Sequence, residues 1–199
     1  MSRLAHIDEL FEASIAAKQA AQRVLTGPID KAAQLLVQAL ASGGKIMACG
    51  NGGSAADSQH FAAELLNRFE LERAPLPAIA LTTDSSTITS IGNDFGYDDV
   101  FVRQLLGLGK PGDVLLAIST SGGSANICRA IDTAHELGLR CILLSGRDGG
   151  AAAGRLSSDD IELRVPASNT ARIQEVHILI LHILCGIIDQ WCTQGDNQR

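Results

Sequence analysis

Two short segments of this 199-residue chain combine glycine with hydroxyl and amide side chains: Gly50-Asn51-Gly52-Gly53-Ser54 and Ser119-Thr120-Ser121-Gly122-Gly123-Ser124. Glycines let the backbone approach a ligand closely, and a helix starting just after such a loop presents unpaired N–H groups. A phosphate can therefore be held without Lys or Arg. Either loop alone reads equally well as a tight strand-to-helix turn; two on one rim are harder to dismiss. On the helix expected after the first loop, His60 and Glu64 lie four residues apart and share a face. Their neighbours, Phe61-Ala62-Ala63 and Leu65-Leu66, are apolar, so the Glu64 carboxylate is costly there unless paired or liganded. The bland alternative is a surface pair. Gln174, Glu175, His177 and His182 punctuate a second apolar run. At about 100° per residue, Gln174 and His182 are separated by about 80°, and the two histidines by about 140°. Both histidines cannot face one small site, and periodicity does not choose between them. His182 with Cys185, and Cys185 with Cys192, are two-residue sets that read as core rather than metal ligands.

Nucleotide binding is the rival chemistry. Gly50-x-Gly52-x-x-Ala55 formally matches the dinucleotide fingerprint, whose ribose-binding acid follows about 20 residues later. The first acid near the end of a second strand is Asp84, well beyond that spacing, and no Gly-x4-Gly-Lys-Ser/Thr motif exists. A sugar phosphate fits the hydroxyl-bearing loops better.

The elements that must position these residues alternate in type. Residues 3–25 carry apolar positions at helical spacing and stop at Gly27-Pro28; a second helix is expected over Ile29 to Ala41, ending at Gly43-Gly44. Buried strands are expected at residues 45–49, 78–81, 113–118, 141–144 and 161–165. Helices follow at about 55–69, after Thr82–Ser86, through Leu137, and from Thr170 to Gln194. This pattern predicts an α/β fold with a doubly wound, five-stranded parallel sheet of flavodoxin-like order, whose ligands bind beyond the carboxyl ends of the strands. No linker or composition shift divides the chain. One domain is expected over 1–199, with an N-terminal helical pair over 1–42 and the α/β core and C-terminal helix over 43–199.

With 46% hydrophobic and 19% charged residues, the composition excludes disorder. The balance of 16 Lys+Arg against 22 Asp+Glu gives −6 with no basic stripe, which argues against nucleic acid and anionic lipid as partners. Five cysteines, mostly in apolar runs, read as reduced core thiols. Charged residues interrupt Met1 to Ala13, so no signal peptide is visible there. The greasy stretch 178–188 is interrupted by His182 and is too short for a bilayer. A soluble, cytoplasmic protein is expected.

Several segments together resemble a sugar-isomerase (SIS) domain, and more narrowly the bacterial phosphoheptose isomerases. They are Cys49-Gly-Asn-Gly-Gly-Ser54, His60-Phe-Ala-Ala-Glu64, Gly92-Asn-Asp94, Asp113 to Gly122, Gly146-Arg-Asp-Gly-Gly150, and Arg172-Ile-Gln-Glu-Val-His177 with His182. They extend over almost the whole chain. The resemblance implies conversion of sedoheptulose 7-phosphate to D-glycero-D-manno-heptose 7-phosphate, toward the heptose of lipopolysaccharide, by a cytoplasmic homotetramer with sites between subunits. It implies that Ser119, Thr120, Ser121 and Ser124 hold the phosphate. Asn51, Gly52, Gly53, Ser54, Asn93, Asp94 and Gln174 then line the sugar site. Glu64 and His182, rather than His177, become the acid–base pair, and zinc is implied at His60, Glu64, Gln174 and His182. Such a pair suits an enediol mechanism, which moves a proton between C1 and C2.

Alternatives lie within the same family. A replication-initiator-associating protein shares Asn67–Glu70 and Leu76–Leu81 but has uncharged residues at the positions of Glu64 and His182; a sugar-phosphate-sensing SIS module is the other. This chain departs from the family pattern at Gly123, where many relatives have Asn, and at Ala171, where some carry Asp.

Overall fold

Alternation of side chains along each strand decides the layers of the molecule, described by a computed structural model over residues 2–196. In β1 (Ile46–Gly50), Ile46 and Ala48 enter one apolar cluster while Met47 and Cys49 enter another. The other strands are β2 (Ala78–Ala80), β3 (Val114–Ile118), β4 (Arg140–Gly146) and β5 (Ile161–Val165). All pair in parallel in the order β2-β1-β3-β4-β5, the doubly wound arrangement the sequence predicts.

Helices α1 (Arg3–Ala41), α2 (Gly53–Leu66) and α7 (Thr170–Asp196) cover one face of the sheet. Helices α3 (Ser85–Asp94), α4 (Val102–Leu108), α5 (Ala125–Glu136) and α6 (Gly150–Ala153) lie on the other side, with a 3-10 turn at Tyr97–Asp99. The strand order reverses beside β1, since β1→α2 leads to one side and β3→α5 to the other. A crevice therefore opens beyond Gly50 and Ile118, which are partners in register.

The expected N-terminal helical pair is one helix. α1 runs unbroken for 39 residues with Pro28 inside it. Proline removes one helical hydrogen bond and costs about 3 kcal/mol in a helix interior. The buried stripe crosses it without changing phase: Ala17, Ala21 and Leu25 before, Ile29, Ala32, Leu36 and Ala39 after. These side chains join the same cluster as α7 and the sheet, and their burial at roughly 0.8 kcal/mol per CH2 outweighs the local penalty.

By length and composition, residues 170–193 of α7 would suffice to cross a membrane, more than the 178–188 run suggests. In the fold this helix packs on α1 and α2, and both His177 and Asp189 on it are buried. Its apolar character is that of a core helix. Cys49, Cys128, Cys141 and Cys185 are buried and Cys192 is half-buried.

Candidate active site

The first glycine-rich loop is fixed by an amide pair. Asn51 and Asn126 each donate a side-chain N–H to the other's oxygen, both at 2.9 Å, and the Tyr97 hydroxyl donates to the Asn51 oxygen at 3.2 Å. Asn126 is buried at the start of α5, so this pair ties the loop after β1 to the helix after β3. Neither Asn126 nor Tyr97 stands out in the sequence, because a lone Asn or Tyr beside a turn has no distinguishing spacing. Together with Gly52, Ala55, Thr82 and Phe101, Asn51 and Tyr97 line a cleft of about 80 Å3.

The hydroxyl-rich loop is built on a backbone contact. Gly122 has φ +63°, and a Cβ there would fall 1.8 Å from the Gly149 carbonyl oxygen, so only glycine fits. The Ala152 N–H closes the contact by donating to the Gly122 oxygen at 2.8 Å. Ser119 is buried, and its Oγ accepts from the Gly122 N–H at 3.1 Å. The Ser121 Oγ accepts from the Gly123 N–H at 3.2 Å. Ser124 is the N-cap residue of α5, yet its hydroxyl makes no capping bond and stays available to a ligand. Half-buried Thr120, Ser121 and Ser124 thus stand at the start of a 12-residue helix, where the dipole favours an anion.

The second group of residues lies in the seam between α2 and α7. Both helices run antiparallel to the strands they follow and therefore parallel to each other. At the upper end Gln174 sits against Gly53, where a Cβ would come within 2.4 Å of the amide nitrogen. About 10 Å further along α2 (seven residues at 1.5 Å rise), His60 meets His182. Their Nε2 atoms face each other at 2.8 Å, so one ring donates and the other accepts. The His60 Nε2 is also 3.6 Å from Glu64 Oε1, close enough for an ion pair when protonated. Phe69 stacks on the His182 ring, centroids 5.4 Å apart, and holds its plane. Asp57, one turn before His60, has a buried, unpartnered carboxylate oxygen, and burial pushes its pKa up against the opposing pull of His60.

His60, Glu64 and His182 are thus brought together, whereas Gln174 stands at the loop end of the seam. Imidazole nitrogen and carboxylate oxygen are donor types that zinc takes readily, but the ligand atoms of His60, Glu64 and His182 do not all lie within 4.8 Å of one another, and the Gln174 amide packs on Gly53. Among the described residues, the tightest metal-type cluster lies elsewhere: His135, Cys141 and Asp160, with ligand atoms within 4.8 Å of one another. Asp160 there is already saturated. It accepts from the backbone N–H of Cys141 and Ser157, from the Ser157 hydroxyl and from His135. Burial alone would raise its pKa, but these bonds hold it below the usual carboxylate range. Burial pushes the Cys141 thiol up. This cluster stitches α5, β4 and β5 together at the end of the sheet opposite the crevice.

His177 is core. It is fully buried, bonds to the Ser145 carbonyl oxygen at 2.9 Å, and burial pushes it down to about 4. Asn93 and Asp94 end α3 in exposed positions, where the Asn93 amide donates to Asp94 at 2.8 Å. The larger concavity, about 570 Å3, is an apolar groove between α1 and α7, lined by Leu25, Ile29, Ile180 and Ile183 among others. It carries none of the expected site residues.

Residues 10–146 match the SIS domain family. The chain is 60% identical over 180 residues to a phosphoheptose isomerase of Chromohalobacter salexigens, spanning 90% of this chain and 91% of that one. It is 55% identical over 195 residues to a phosphoheptose isomerase of Shewanella loihica, spanning 98% and 99%. The solved structure of a phosphoheptose isomerase from Francisella tularensis superposes with a TM-score of 0.93 at 50% identity, covering 96% of this chain and 100% of that one.

Proposed function

The chain belongs to the SIS-domain phosphoheptose isomerases, and from that membership we propose that it interconverts sedoheptulose 7-phosphate and D-glycero-D-manno-heptose 7-phosphate. It is an aldose–ketose isomerase, acting in the cytoplasm toward the heptose of lipopolysaccharide. The meeting of His60, Glu64 and His182 in one seam, beside a rim with two anion-suited loops, carries the assignment.

The phosphate is held by Ser119, Thr120, Ser121 and Ser124 with the N–H groups that open α5. Asn51, Gly52, Gly53, Ser54, Asn93, Asp94 and Gln174 line the sugar. Glu64 removes the proton from the carbon next to the carbonyl and returns it to the neighbouring carbon. His182 gives a proton to the carbonyl oxygen as the enediol forms and takes one back as it collapses. His60 fixes the His182 ring through the shared hydrogen bond. His60, Glu64 and His182 would also hold a zinc ion, which supplies Lewis-acid polarisation of the carbonyl when bound. Gln174 is left to the sugar.

The active assembly is a homotetramer. A cleft of about 80 Å3 is small beside the roughly 300 Å3 at the low end for ligand pockets, so one chain does not enclose the sugar by itself. The apolar α1–α7 groove and the exposed Leu4, Ile7, Leu10, Phe11 and Ile15 of α1 support burial against further copies. The whole chain, 1–199, acts as one domain. The non-catalytic initiator-associating alternative is not favoured, because the relatives at 55–60% identity are phosphoheptose isomerases and this chain keeps Glu64 and His182.

An assay of the purified protein with sedoheptulose 7-phosphate, run with and without a chelator, tests the reaction and the metal together. Turnover that falls with chelator and returns with zinc is the expected result. A folded protein without turnover under any metal condition overturns the proposal.

A further inference from the structure

Seven residues beyond His182, and therefore on nearly the same face of α7, stands Asp189. It is paired with Arg73, and both side chains are only 1% exposed. The Asp189 Oδ1 accepts from Arg73 Nε at 2.7 Å, while Oδ2 accepts from the backbone N–H groups of Leu71 at 2.9 Å and Glu70 at 3.0 Å. The two Nη groups of Arg73 then turn back to the end of α2. One donates to the Glu64 carbonyl oxygen at 2.7 Å, the other to that of Leu65 at 2.9 Å and of Ala74 at 3.0 Å.

The Glu64 and Leu65 carbonyls belong to the last turn of α2, which ends at Leu66, where backbone acceptors lack helical partners and the helix frays. Glu64 is in that turn. Arg73 supplies a donor to the Glu64 oxygen and joins the Leu76 N–H, at 3.0 Å, on the Leu65 oxygen, and it sets a cation at the negative end of the helix dipole. Since α7 anchors Arg73 through Asp189, the chain of bonds runs from the helix that carries His182 to the peptide that carries Glu64.

We propose that Arg73 and Asp189 are positioning residues for the isomerisation, fixing the Glu64 carboxylate in depth and direction relative to His182. The inference rests on the isomerase assignment above. A buried ion pair is weak support for stability, since desolvation offsets most of its attraction, but it demands one geometry. Lysine keeps the charge of arginine and cannot make its two-pronged contact with adjacent carbonyls.

Arg73→Lys is therefore the test, read as kcat per folded subunit. The expected result is a fall of about 10- to 100-fold in kcat with KM for sedoheptulose 7-phosphate within about twofold of wild type, because small misplacement of a reacting group costs rate rather than binding. In a Glu64→Gln background the same substitution should leave the residual rate unchanged, since the group it positions is gone. A structural strap alone would lower the melting temperature and leave kcat of the folded enzyme intact, and that outcome overturns the proposal. Should Arg73→Lys fail to fold, Asp189→Asn carries the same readout. Wild-type enzyme without turnover overturns the isomerase assignment together with this inference; normal wild-type turnover with an unaffected Arg73→Lys overturns this inference alone.

Discussion

The imidazoles of His60 and His182, 122 positions apart in the chain, face each other through their Nε2 atoms at 2.8 Å. Only one proton fits between two such nitrogens, so one ring donates and the other accepts, with Phe69 stacked against His182. Glu64, one turn from His60 on α2, completes the group.

Glu64→Gln keeps the size of the side chain and removes the proposed base. The kcat for sedoheptulose 7-phosphate should fall by about 10²- to 10⁴-fold, the usual range for one general base. The melting temperature should stay within a few degrees of wild type. Retained turnover would assign the proton transfer to another group.

Removing His60 separates metal from mere hydrogen bonding. His60→Ala should reduce bound zinc per subunit, measured by elemental analysis after dialysis, and make the remaining activity insensitive to chelator. Zinc content equal to wild type would place the ion at other residues.

Gly122→Ala introduces a methyl group 1.8 Å from the Gly149 carbonyl oxygen at a left-handed backbone position. Backbone strain of this kind costs about 1–3 kcal/mol, before the clash is counted. The melting temperature should drop by several degrees, and KM should rise at least about tenfold as the hydroxyl-rich loop, proposed to hold the phosphate, moves. Gly123→Ala, whose added carbon meets nothing closer than Ser121 Oγ at 3.6 Å, is the matched control and should bind substrate normally.

His177 gives stability a pH dependence of known sign. Burial lowers its pKa from 6.5 to about 4, so the unfolded chain takes up the proton first as pH falls. The contribution is complete above pH 6.5 and is lost as pH drops toward 4; a shift of this size corresponds to about 3 kcal/mol. Urea midpoints at pH 7.5 and 4.5 should differ accordingly, and a folded His177→Gln variant should show a shallower slope. An unchanged slope in that variant would remove His177 as its source.

The apolar groove supplies a test of assembly. Ile183 is 38% exposed on α7 and lines that groove, so Ile183→Glu should shift the protein to smaller species in light scattering while far-ultraviolet dichroism is retained. Turnover should fall together with the proposed assembly. A variant that stays fully assembled would move the interface elsewhere.

Much of this was legible in the chain. Short apolar runs that end in Gly- and Ser-rich turns specify buried parallel strands, because only a sheet covered on both faces has no polar side. The same turns mark the rim loops. Pro28 shows where local rules mislead: its penalty is real, but a stripe of small and branched side chains matched to α7 and the sheet keeps α1 continuous. Asn126, Tyr97, Phe69, Arg73 and Asp189 were not legible as site residues. Their parts come from contacts between segments, and no spacing within one segment encodes those.

By itself, the order of residues determined which side chains share a helical face, His60 with Glu64 and His182 with Asp189, since that follows from 3.6 residues per turn. Which face meets which was decided only in three dimensions. Packing of α2 and α7 on one side of the sheet sets His60 against His182, leaves Gln174 at Gly53 and buries His177 under Ser145. Helical periodicity fixes rotation about an axis; the relative slide and pairing of two helices are fixed by the many side chains that fill the space between them.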